Sequence, residues 1–203
     1  MTWVKVCGIT DGIALDAAVF GGADAVGFVL VESSPRYVPV ERAAELMEGV
    51  PLTRFIVVVD MSVEDALTAA DTTSADGIQA HGLHAADVSA AALEAGYLSL
   101  YPVSVGPAGM SVSLRHIEPA AMPLLDTYSS DEHGGTGVPF DWSVIGDLGR
   151  PLVLAGGLGP DNVAQAIATV APFGVDASSK LESTRGVKDP ALIKDFIQEA
   201  KRS

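Results

Sequence analysis

Val4-Lys5-Val6-Cys7-Gly8-Ile9-Thr10 opens the chain as a short apolar strand that ends at a cysteine and is followed at once by glycine. Gly12 to Phe20 then reads as a helix, stopped by Gly21-Gly22. The same strand-then-helix unit recurs along the sequence. Strands are expected at Val4 to Cys7, Ala25 to Leu30, Phe55 to Val59, Asp76 to Ala80, Tyr97 to Val103, Pro123 to Asp126, Leu152 to Ala155 and Val175 to Ala177. Helices are expected at Gly12 to Phe20, Val40 to Met47, Val63 to Ala70, Ala85 to Ala95, Ser111 to Ile117, Asp141 to Leu148, Asp161 to Ala171 and Pro190 to Lys201. Repeated units of about 25 residues without long excursions favour a closed parallel (β/α)8 barrel over an open doubly wound sheet. The fold class is therefore α/β, a single-domain (β/α)8 TIM barrel over residues 1–203, with no linker or low-complexity tract.

The chain carries a net charge of −14, which argues against nucleic acid as a partner, because phosphate backbones need clustered Lys and Arg. An anionic ligand must rely on local donors. Physiological salt screens the long-range repulsion within about 8 Å. No apolar run reaches the roughly 18 residues that span a bilayer, so no membrane is expected. Met1-Thr2-Trp3-Val4-Lys5 lacks the pattern of a signal peptide. With one cysteine and no export signal, the cytoplasm is the expected address.

In such a barrel the chemistry lies at the C-terminal ends of the strands. Cys7, His81, Asp126, Gly156-Gly157 and Ser178-Ser179 fall there, and Ser34-Pro35-Arg36 lies in the loop after the second strand. Gly156-Gly157 lets backbone N–H groups approach an anion, and Ser178-Ser179 offers donors at the start of a short extra helix. Together they read as a phosphate site. Cys7 has two readings that spacing leaves open. It is either a buried small hydrophobe or a base whose pKa is pulled down by Lys5, two residues earlier on the same strand face. Asp126 is either a helix cap or a general acid kept protonated by burial, and no helix pattern follows it directly. Arg36 is either a surface arginine or a planar carboxylate binder. His81 reads as a hydrogen-bonding or packing group, because a metal site would need converging ligands that the sequence does not show. Gly134-Gly135-Thr136-Gly137 lies in a glycine-rich loop, Ser129 to Pro139, which reads as a lid rather than a nucleotide loop.

Read together, these segments resemble the phosphoribosylanthranilate isomerases of tryptophan biosynthesis. The matching runs are Lys5 to Thr10, Gly22 to Phe28, Ser34 to Val38, Leu124 to Asp126, Gly134 to Gly137 with Phe140 to Trp142, Leu154 to Leu158 with Asn162-Val163, and Gly174 to Asp176 through Lys188-Asp189. The resemblance implies an aldose–ketose isomerase that performs an Amadori rearrangement, the third step from chorismate, with no cofactor and no metal. It implies Cys7 as general base and Asp126 as general acid. Arg36 would hold the anthranilate carboxylate, and His81 and Asp176 would line the site. Gly156, Gly157, Ser178 and Ser179 would hold the phosphate. The only partner implied is a small phosphosugar, and a monomer is expected rather than a homodimer. Asp11, Asp60-Met61-Ser62, Ala80 and Lys180 depart from the family pattern. Asp11 adds negative charge near the mouth, and Lys180 is placed to offset it at the phosphate. A metal-dependent epimerase and a silent phosphate-binding protein are the competing readings.

Overall fold

The computed structural model describes residues 1–106, 109–110, 116–127, 142, 145 and 148–203. Eight parallel strands form the frame: β1 (Trp3–Cys7), β2 (Ala25–Val29), β3 (Thr53–Val59), β4 (Gly77–His81), β5 (Leu98–Gly106), β7 (Met122–Thr127), β8 (Val153–Ala155) and β9 (Gly174–Ala177). Each pairs with the next in chain order, β4 pairs with β5 and β9 returns to β1, so the sheet closes on itself. A two-residue strand, β6 (Gly109–Met110), folds back antiparallel on the end of β5. After β9 come a single 3-10 turn at Ser179–Leu181 and a small hairpin of β10 (Glu182–Thr184) and β11 (Val187–Lys188).

Six helices cover the described part of the barrel: α1 (Gly12–Gly21), α2 (Val40–Met47), α3 (Val63–Thr73), α4 (Ala85–Glu94), α5 (Val163–Val170) and α6 (Pro190–Arg202). Three of the six described helices start at a side-chain cap. Asp11 accepts from the Ala14 N–H at 2.9 Å, Ser62 from Asp65 and Asp189 from Ala191, and each satisfies a donor that a helix cannot pair internally. Pro190 supplies a fixed φ at the first turn of α6. The helices expected at 111–117 and 141–148, and the loop at 129–139, lie wholly or largely outside the described residues. No described helix is long and apolar enough to cross a membrane.

Strict alternation along each strand sorts side chains into two layers. Val4, Val6, Val26, Phe28, Ile56, Val58, Ile78, Leu125, Leu154 and Val175 pack outward beneath the helices. Phe28, Ile56, Leu125 and Leu154 have no solvent exposure, and each such burial is worth about 1.5–3 kcal/mol. The opposite face lines the lumen. Ala25, Phe55, Leu100, Leu124, Val153 and Ala155 form a separate apolar cluster there, with Trp3 and Met122 packed against it. The lumen is thus plugged by hydrocarbon, and polar side chains of the inward set collect above the plug.

Candidate active site

Lys5 is the anchor of the polar layer. It is fully buried, and its Nζ donates to Asp176 Oδ2 and to Gln79 Oε1, both at 2.9 Å. Lys5 and Asp176 are register partners on the adjacent strands β1 and β9, so the pairing follows from the ladder. Burial would strip the ammonium of its proton, but the charge and hydrogen bond of Asp176, with a lesser contribution from Cys7, outweigh it and hold the Lys5 pKa above its ordinary value. The other oxygen, Asp176 Oδ1, is buried and finds no hydrogen-bond partner among the described residues.

Cys7 stands one inward position above Lys5 at the end of β1 and is 7% exposed. Across the ladder from it lies Gly27. A Cβ there would come within 2.9 Å of the Cys7 sulfur and 3.2 Å of the Lys5 ammonium, so glycine makes room for both groups. The thiol pKa does not follow the lowering that the base reading attributed to Lys5. Burial pushes it above its ordinary value, against the downward pull of Lys5 and Lys188, and the Asp176 charge adds to the rise. At neutral pH the resting group is a thiol.

Gln79 and His81 occupy successive inward positions on β4. Because Lys5 can only donate, Gln79 must present its oxygen to it and its amide N–H to His81 Nε2, 2.9 Å away. His81 Nε2 is then the acceptor, and its proton sits on Nδ1. Burial, with Lys5 nearby, lowers the His81 pKa to about 4, so the ring is neutral at physiological pH. Asp60 braces this strand end. Its backbone adopts φ 52, its N–H donates to the His81 carbonyl at 3.1 Å, and its Oδ1 accepts from Leu83 N at 2.6 Å.

Asp126 is the last inward residue of β7, paired in register with Ser104 on β5 and Ala155 on β8. Burial and the Asp176 charge raise its pKa to about 6, with Lys5 opposing. The same ion pair, Lys5 with Asp176, therefore acts on both Cys7 and Asp126, and the barrel brings these two side chains to one mouth.

The loops expected to grip phosphate meet beside the mouth. Gly156 and Gly157 follow β8 with φ 86 and φ 64, and Asn162 holds their turn, donating to Gly157 O at 3.0 Å and accepting from Gly159 N at 2.9 Å. A Cβ on Gly159 would lie 2.9 Å from Lys180 Cβ, so this turn abuts the one that carries Ser178 and Ser179. Ser178 is fixed by Lys188, whose Nζ donates to its carbonyl at 2.8 Å and to its Oγ at 3.2 Å. Arg36 arrives from the loop after β2. Its Cδ lies 2.6 Å from the site a Gly8 Cβ would occupy, and Ser178 Oγ is 3.0 Å from that site. Gly8 has φ 77, so both its backbone and its missing side chain serve the arrangement.

Residues 4–199 match the family model of N-(5'-phosphoribosyl)anthranilate (PRA) isomerase. The chain belongs to this isomerase family. It is 40% identical over 205 residues to the isomerase of Geotalea uraniireducens (strain Rf4), with 99% of each chain covered. The crystal structure of the Thermotoga maritima isomerase superposes with a TM-score of 0.85 at 38% identity, over the whole of both chains. Another solved isomerase, with a TM-score of 0.82 and 36% identity over the whole of both chains, is in complex with reduced 1-(o-carboxyphenylamino)-1-deoxyribulose 5-phosphate. The reaction is the Amadori rearrangement of N-(5-phosphoribosyl)anthranilate to 1-(2-carboxyphenylamino)-1-deoxy-D-ribulose 5-phosphate in tryptophan biosynthesis, and the chain is an aldose–ketose isomerase.

Within this family the four departures acquire physical meaning. Asp11 caps α1, Asp60 braces the turn after His81, and Ala80 faces outward into the helix layer. Lys180 is exposed in the 3-10 turn beside Gly159. Gln79, Lys188 and Glu182 were not among the residues expected from the sequence to form the site. Gln79 was detectable, since it shares a strand face with His81. Glu182 and Lys188 were not, because they come from a hairpin with no apolar pattern.

Proposed function

We propose that Asp126 is the general acid and Cys7 the general base of this isomerase. Asp126 protonates the ribose ring oxygen, the C1–O bond breaks, and the anthranilate nitrogen lone pair forms an iminium at C1. The Cys7 thiolate then removes the C2 proton, the released pair closes a C1–C2 double bond, and the enolamine tautomerises to the ketose. Arg36 holds the anthranilate carboxylate. Gly156, Gly157, Ser178 and Ser179 hold the phosphate through backbone and hydroxyl donors. The unpaired Asp176 Oδ1 accepts from a sugar hydroxyl, and neutral His81 supplies a further polar wall.

The observation that carries this reading is geometric: Cys7 and Asp126 are the last inward residues of β1 and β7, at the same end of the barrel and above the buried Lys5–Asp176 pair. An Asp126 pKa of about 6 keeps about a tenth of the acid protonated at pH 7. The binding of an anionic substrate raises that fraction. The test is consumption of fluorescent phosphoribosylanthranilate by the wild type, Cys7→Ala and Asp126→Asn. Wild-type turnover in either variant ends the assignment. Residues 1–203 act as one barrel domain, and a monomer is its working state. Sedimentation tests that point, since a Thermotoga maritima relative is described as dimeric. A base that must remain an unoxidised thiol suits the reducing cytoplasm.

A further inference from the structure

Glu182 opens the hairpin after the last barrel strand, and its side chain is 4% exposed. Its two oxygens accept from four donors: Arg36 Nε at 2.5 Å, Arg36 Nη2 at 3.1 Å, Lys188 Nζ at 3.0 Å and Gly186 N at 2.9 Å. That is the full lone-pair capacity of a carboxylate, so the group has nothing left to offer a substrate. Its role must run through what it holds.

Arg36 is held at both ends. Its backbone N–H donates to Ser34 Oγ at 3.1 Å, and its guanidinium meets Glu182 side-on through Nε and Nη2. No described residue accepts from Nη1. The Arg36 side chain is 21% exposed, so its remaining donors lie on a partly open cation whose stem crosses Gly8, next to Cys7. Lys188, fully buried, spends its other bonds on Ser178. Without the carboxylate between them, two cations would face each other across the same small space.

From this arrangement we infer that Glu182 is a positioning residue: it orients the Arg36 guanidinium so that its Nη1 edge meets the substrate carboxylate, and through Lys188 it sets Ser178 of the phosphate loop in the same frame. The inference rests on the proposed role of Arg36. A bidentate guanidinium–carboxylate contact needs the plane of the cation fixed, and a freely turning arginine would have to be ordered at each binding event.

The test is steady-state kinetics on Glu182→Gln, Glu182→Asp, Arg36→Ala and the Arg36→Ala/Glu182→Gln double variant, with melting curves to show that each is folded. Glu182→Gln should raise KM about tenfold, with a much smaller change in kcat, because it weakens orientation and leaves Cys7 and Asp126 in place. Glu182→Asp keeps the charge but withdraws it by one methylene; it should raise KM in the same sense and serves if the glutamine variant does not fold. In the double variant the rise in KM should fall well short of the product of the two single effects, and any part beyond Arg36→Ala alone is what Glu182 does through Lys188. An unchanged KM in the Glu182 variants beside a raised KM in Arg36→Ala overturns the inference, as does full multiplication of the two effects. An unchanged KM in Arg36→Ala removes the carboxylate assignment itself, a failure distinct from that of Glu182.

Discussion

The Lys5 ammonium sits 2.9 Å from Asp176 Oδ2, with side-chain exposures of 0% and 7%, midway between the apolar plug of the lumen and the reacting groups above it. An ion pair so placed is costly to form and costlier to halve. Lys5→Met would leave a buried carboxylate with neither oxygen compensated by charge, at a cost of about 3–5 kcal/mol. Denaturant unfolding should show that loss, and Lys5→Met/Asp176→Asn should recover most of it. A double variant no more stable than Lys5→Met would mean the pair is not the source of the effect.

Asp126→Asn should separate stability from activity. The folded carboxyl has a pKa of about 6 against an ordinary value of 3.8. A raised pKa stabilises the fold below the ordinary value, and that contribution is lost as pH rises through the folded value. The asparagine variant does not titrate, so it should be more stable than wild type by about 3 kcal/mol at pH 7. The gap should close below pH 4. Turnover should fall by about 10²–10⁴-fold in the same protein. Thermal melts at the two pH values check the first claim.

Cys7 is the only cysteine, so thiolate absorbance near 240 nm reports it alone. With its pKa raised above the ordinary value of 9.0, the band should appear only in the alkaline range, and no ionisation should be seen near neutrality. Asp126 loses its proton first as pH rises, so the competent form, acid protonated and base ionised, is a constant minority between the two pKa values. The rising limb of kcat/KM near pH 6 then belongs to the acid, and the alkaline fall belongs to the thiol. Thiolate detected at pH 6 would contradict this ordering.

Gly8→Ala should impair binding more than its size suggests. The new Cβ would meet Arg36 Cδ at 2.6 Å and Ser178 Oγ at 3.0 Å, on a backbone with φ 77. A stability loss of about 1–2 kcal/mol is expected from the backbone alone. KM should rise as well, because the displaced groups are those assigned to the carboxylate and the phosphate.

The barrel was legible in the sequence because strand and helix patterns alternate along it, and some of the units are punctuated by caps and glycines. Val40–Met47 has the bounds its pattern suggested, and Gly22 and Ser62 mark a stop and a start. The alternation Val4-Lys5-Val6-Cys7 placed a lysine on the same face as the cysteine, which is what the structure shows. The sign of the thiol shift was not legible, since it depends on how thoroughly the surrounding strands exclude water, a property of the closed barrel and not of β1. Glu182 and Lys188 were hidden for another reason. Their hairpin is short and charged, and its purpose becomes visible only once Arg36, far away in the chain, is brought against it.

Along β1 every odd residue from Trp3 to Cys7 looks inward and every even one looks out. A single residue inserted anywhere in that stretch would exchange the two populations, sending lysine and thiol into the oily belt under the helices and valines into the mouth. The machinery is therefore tolerant of side-chain edits at many points but brittle to changes in length within its walls, and new specificities in this lineage should arise from remodelled rims while the staves keep their count.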